Sequence, residues 1–264
     1  MYALFFLISF GASIIGAICG IGGGIIIKPV MDAFGALDVS IINFLSGCTV
    51  LSMTMYSVIK AKIAKDSVIN MKLGTPLAIG AAIGGLIGKE LFSYVESLFD
   101  TPNTAGAVQA FVLMLITLGT LIYTIHKNKV HTLHVTNLLA CLIIGFILGG
   151  FSSFLGIGGG PINLVVLYFF FTMGTKEAAQ NSLYIILFSQ ITSIGRSLFT
   201  TDLSQISIVL LIGMIACGIL GGICGRAINK KIDEKTVDKL FIALMIVIIF
   251  INIYNTVKYL GILG

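Results

Sequence analysis

Twice along this chain an apolar stretch is broken by four glycines in five residues, at Gly20-Ile21-Gly22-Gly23-Gly24 and at Gly156-Ile157-Gly158-Gly159-Gly160. The copies lie 136 residues apart in a chain of 264. Glycine carries the largest backbone entropy cost in a helix, so such a run interrupts a helix rather than extending it. Hydrophobic segments broken at corresponding places in two halves are what a transporter with internal repeats presents.

Composition makes the surrounding segments membrane spans. The chain is 57% hydrophobic and 10% charged, whereas a soluble domain has roughly a quarter of its residues charged. It is expected to be an all-α polytopic membrane protein, multi-pass in the lipid bilayer. No polar stretch exceeds a loop, so catalysis in a soluble domain is excluded. Residues 1–20 have no basic n-region and no small-residue cleavage site, and read as a retained span. The five cysteines all lie in apolar segments with no CxxC pair, which suits small buried hydrophobes. A net charge of +5 without a basic stripe or an aromatic platform fits loop bias and gives nucleic acid no footing.

Apolar runs able to cross a bilayer occupy 40–59, 74–92, 105–125, 135–155, 178–197, 205–225 and 237–257. The first glycine run divides 2–37 into 2–19 and a short 25–37; the second divides 135–173 into 135–155 and 161–173. Each half therefore reads as a Gly-broken, discontinuous segment followed by three transmembrane helices, with boundaries at 1–130 and 131–264. Other positions repeat too. Gly84-Gly85-Leu86-Ile87-Gly88-Lys89 matches Gly221-Gly222-Ile223-Cys224-Gly225-Arg226 at an offset of 137, and Lys60 matches Arg196 at 136.

Basic residues then select a topology. If the short segments do not cross, the positive charges divide almost evenly between the two sides. If they do cross, one side gathers Lys60, Lys62, Lys65, Lys72, Lys127, Lys129, Lys176, Arg226, Lys230, Lys231, Lys235 and Lys239. The other side keeps Lys89, Arg196 and Lys258. The positive-inside rule favours the second arrangement, with both termini outside. Each half then crosses an odd number of times, which makes the halves inverted repeats. The short segments are brief for a full crossing, so extended glycine backbone must supply the remaining length.

A glycine run that opens a short helix can present unpaired N–H groups and their partial positive charge to a ligand, with no Cβ in the way. Gly22, Gly23 and Gly24, with Gly158, Gly159 and Gly160, are accordingly the first candidates for a substrate site. The competing use is close helix packing. Ser46 and Ser182 align at an offset of 136, Asn181 adjoins Ser182, and Asn163 follows the second break by three residues. Asn43, Thr49, Gln180 and Gln190 are further polar groups in the same spans. Such side chains can donate to an oxyanion without placing a fixed charge in the membrane, though each could equally bond a neighbouring helix. Lys28 is either a counter-charge or a snorkelling side chain, with snorkelling preferred. Lys89-Glu90 and Lys176-Glu177 read as loop-edge charges, and Arg196 as an interfacial anchor.

No catalytic set is visible, and neither an enzyme, a cofactor nor a metal is expected. His126, His131 and His134 lack a Cys or carboxylate companion. The glycine runs lack the GK[ST] ending of a phosphate-binding loop. No acid lies in the middle of a long span, so a coupling ion, H+ or Na+, has no visible carboxylate carrier.

The two glycine motifs resemble those of the TauE/SafE family of sulfite and organosulfur-anion exporters, also called the sulfite-exporter or TSUP permeases. Gly20-Ile21-Gly22-Gly23-Gly24 with Pro29 is similar to the family's GxGGGxxxxP pattern. In the second copy Pro161 follows Gly160 directly, and Lys28 replaces the apolar residue before the first proline. The resemblance covers nearly the whole chain. It implies transport of small anions, often sulfur-containing, across the cytoplasmic membrane of a prokaryote. A secondary transporter is the leading reading; a passive anion channel and an accessory membrane subunit are the alternatives.

Overall fold

A computed structural model describes residues 2–99, 102–200 and 206–261. Residue 205, where one expected span begins, lies outside them. The described residues form ten α-helices and no strand. In order they are α1 (Tyr2–Cys19), α2 (Gly24–Phe34), α3 (Val39–Ile63), α4 (Met71–Ser97) and α5 (Pro102–His126), then a 3₁₀ turn (Lys127–Lys129). There follow α6 (Leu138–Phe154), α7 (Pro161–Phe171), α8 (Thr175–Thr200), α9 (Ile208–Lys231) and α10 (Glu234–Tyr259). The second series repeats the first, each with one short helix of 11 residues in second place.

Local chemistry sets the helix ends. Asn70, Asn137, Ser207 and Asp233 accept from first-turn amides as N-caps of α4, α6, α9 and α10. Gly35 closes α2 and Thr172 closes α7, both left-handed, at φ 62° and 56°. Pro161 opens α7 at its first turn, where a missing N–H costs nothing.

Six helices, α1, α3, α4, α5, α9 and α10, are long and apolar enough to cross a membrane. Two expected spans fall short. In α6, the residues before Leu138 are not helical: Leu133 and Val135 run extended and donate to the Phe169 and Phe170 carbonyls at the end of α7. In α8, polarity is the reason, since Asn181, Ser182, Ser189, Gln190 and Ser193 are buried against protein. A helix shielded on that face by other helices can afford such residues.

Small residues let the helices approach closely. Gly80, Gly84 and Gly88 of α4 face the backbone of α6 at Leu142, Phe146 and Gly150, leaving no room for a methyl group. Gly221 and Gly225 of α9 do the same against Phe10, Ser13 and Ile14 of α1.

Contacts between helix ends define two sides of the molecule. On one, Arg226 at the end of α9 bonds the Ser57 carbonyl and Asp66 after α3, and Lys127 after α5 pairs with Asp238 at the start of α10. On the other, Arg196 near the end of α8 pairs with Glu90 near the end of α4. There Lys258 at the end of α10 donates to Ala33 in α2 at 2.7 Å, and the Phe5 ring of α1 meets Phe34 of α2.

Candidate functional site

Both glycine runs are true breaks. Gly20 and Gly22 have φ of 74° and 73°, and their counterparts Gly156 and Gly158 have 65° and 69°, values that favour a residue without a Cβ. The chain thus leaves α1 and α6, turns, and re-enters α2 and α7 within the protein.

The breaks meet one another. A methyl group on Gly22 would stand 3.3 Å from the Gly158 carbonyl oxygen, and one on Gly159 would stand 3.1 Å from the Ile21 carbonyl oxygen. On Gly24 it would overlap the Ile157 carbonyl and lie 3.0 Å from the Ser46 hydroxyl. Backbone therefore packs on backbone at the middle of α3 and α8.

Two aliphatic side chains complete this centre. Val50 of α3 lies against Gly22 and Gly158, and Ile186 of α8 lies against Gly22 and Gly159. Both are 0% exposed, and they occupy positions 136 residues apart. Together with the glycine backbones they form a buried apolar septum.

A pocket opens on each side of the septum. The pocket on the Arg226 side is lined by Ala17, Ser57, Val58, Ala61, Ala179, Gln180, Leu183 and Arg226, among others. The pocket on the Lys89 side is lined by Asn43, Phe44, Gly47, Lys89, Ser153, Ser193, Ile194 and Ser197, among others. Each of these residues has its partner in the other pocket 136 positions away, such as Ser57 and Ser193; Lys89 and Arg226 are 137 apart.

The two pockets differ in how their cations are held. Arg226 reaches Asp66, and Lys230 bonds the same carboxylate at 2.5 Å. Bonds from Lys230 and Arg226 hold the Asp66 carboxyl below the usual aspartate range, so it stays ionised at neutral pH. Lys89, only 4% exposed, has no hydrogen bond or ion pair among the described residues, and its ammonium lies over the Phe92 ring at 5.2 Å.

The other sequence candidates fall around the centre. Ser46 faces Gly24 and has no hydrogen-bond partner among the described residues. The Asn163 amide donates to Ser182 at 3.3 Å, tying α7 to α8. Gly23 packs on Ala12 and Ser13 of α1, while Gly160 packs on the Ile157 side chain. Asn181 donates to the Glu177 carbonyl and lies near Gly74 of α4, toward the Arg226 side. Lys28 stands apart from the septum residues. It is 2% exposed and paired with Asp32 at 2.6 Å, so it does not snorkel.

Lys89 is not a loop-edge charge, because α4 continues to Ser97 and buries it. The signal was present in the aligned ends of the two GGxxG segments, each followed by a basic residue. Val50 and Ile186 gave none beyond their shared offset.

Comparison with known proteins agrees with a membrane transporter. The sulfite exporter TauE/SafE family matches residues 5–251. A Bacillus subtilis (strain 168) protein described as "Probable membrane transporter protein YunE" is 24% identical over 202 residues, 69% of this chain and 72% of its own. No solved structure matches. A chain whose glycine-broken helices meet at a septum between two pockets, matched by this family over nearly its full length, belongs to the sulfite exporter TauE/SafE family.

Proposed function

We propose that this chain is a secondary transporter of a small anion, of the sulfur-oxyanion class, working by alternating access across the Val50–Ile186 septum. One observation carries the reading: the pockets on the two sides of the septum are lined by residues at matching positions. Interchange of two equivalent conformations by two repeats would open one pocket as it closes the other. Residues 1–130 and 131–264 are the two repeats, inverted relative to one another.

Inversion is supported by helix ends that share a side. The end of α5 pairs with the start of its counterpart α10 through Lys127 and Asp238. The basic residues also support it, and favour the Arg226 side as the cytoplasmic one. The anionic class is supported by the cation in each pocket and by hydroxyls and amides close to the septum. The septum disfavours an open channel, which needs a continuous polar path.

Counterflow tests this reading. Purified protein in liposomes preloaded with sulfite is expected to take up external labelled sulfite faster than unloaded liposomes, with thiosulfate and sulfate run in parallel. Repeating the assay under imposed pH and Na+ gradients identifies a coupling ion. Uptake that is indifferent to the trans anion and carries electrical current would instead mean a channel.

A further inference from the structure

We propose that Asn43 and Lys89 form an oxyanion-binding site on the Lys89 side of the septum, and that the pseudo-equivalent position on the Arg226 side is masked. The ligand's class rests on the transporter reading; the site itself rests on unmet bonding capacity. Lys89 is a buried ammonium with no anionic partner among the described residues. Asn43 is 7% exposed, and neither its amide nitrogen nor its oxygen has a partner among the described residues. The Ser153 hydroxyl, 3% exposed, likewise has no partner among the described residues. All three line one pocket.

Native proteins rarely leave a buried amide, a hydroxyl and an ammonium unsatisfied in one cavity. A small anion with several acceptor oxygens meets the needs of the ammonium, the amide N–H and the hydroxyl together. Glu96, a carboxylate whose charge is felt at Lys89, accepts from Ser40 at 2.7 Å and makes no ion pair with Lys89 among the described residues. Lys28 adds to the positive field but is already paired with Asp32.

The matching position on the other side shows the contrast. Asn43 packs against Gly156 of the second break, and Ala179 packs in the same way against Gly20 of the first. Ala179 offers no polar group where Asn43 does. Arg226 has a carboxylate, Asp66, where Lys89 has none. Ser57 donates to the Met53 carbonyl at 2.9 Å. On the Arg226 side the guanidinium and Ser57 find protein partners; on the Lys89 side Lys89, Asn43 and Ser153 have none among the described residues. Because Asn43 touches the glycine break, an anion held there also bears on the segment that must move.

Calorimetric titration of the purified protein with sulfite, thiosulfate, sulfate and phosphate, with chloride as control, tests the site. At least one oxyanion is expected to bind, and K89Q and N43A are each expected to weaken it about tenfold or more. Melting without ligand separates binding from structure. N43A should melt no lower than the native protein, because it removes an unpaired buried amide. N43D should melt higher and bind none, because its carboxylate would occupy Lys89 as Asp66 occupies Arg226. If K89Q fails to fold, the two Asn43 variants decide. Native affinity in N43A and N43D would overturn the site, as would no oxyanion binding to the native protein. Counterflow judges the transporter reading separately, since it is measured whether or not this pocket binds.

Discussion

Alanine at Gly24 is expected to reduce transport about 100-fold, the order of loss that misplacing a functional group by about an ångström produces, while the protein still folds in the membrane. The added methyl group would overlap the Ile157 carbonyl of the opposite break. Its neighbour is backbone, which cannot swing aside as a side chain does. The breaks must therefore separate, with an overpacking cost of about 1–3 kcal/mol. The many glycine-mediated contacts of α4 with α6, and of α9 with α1, are untouched, so the helix bundle should persist. Flux in liposomes, alongside size exclusion and melting of the same preparation, checks this. Normal flux from G24A would show that the contact between the breaks has no part in transport.

Truncating the septum should have the opposite effect. I186A, and the double variant V50A with I186A, are expected to pass anions down their gradient without needing a trans anion. Removing these side chains leaves a gap between the two polar pockets, lined by glycine backbone and the Ser46 hydroxyl, which water can enter. Truncating Ile186 costs about 2–5 kcal/mol of stability by the usual range for buried aliphatic side chains, so melting should be followed as well. The readout is anion-dependent current across a planar bilayer, absent for the native protein and present for the variants. Tight, current-free membranes with both side chains removed would mean that the barrier lies elsewhere.

The sequence disclosed much of this architecture because backbone demands are written directly in it. Two runs of glycine at one spacing announced two breaks, and the structure places positive φ at the first two glycines of each. The offset of 136 residues also tied Ser46 to Ser182, and the same offset relates the two pockets. What it hid was decided by packing between distant segments. Lys89 stood at the edge of an apolar run and resembled a boundary charge, but α4 extends eight residues beyond it and encloses it. Lys28 and Asp32 are four residues apart, one helical turn, yet only the burial of α2 shows that they neutralise each other. Val50 and Ile186 are ordinary span residues until α3 and α8 bring them over the glycines. The polarity of α8 made it resemble a weak span, because the pockets its polar face lines are formed by other helices.

Accessibility from the two sides tests the central claim most directly. In a background with the five native cysteines replaced, a single cysteine at Ser57 or at Ser193 would report on each pocket. Membrane-impermeant thiol reagents are applied from one face at a time, with and without sulfite or thiosulfate. Alternating access predicts that each position reacts from one face only, and that the transported anion moves the two reactivities in opposite directions. Reaction of both positions from the same face, or reactivities that rise and fall together, would contradict it.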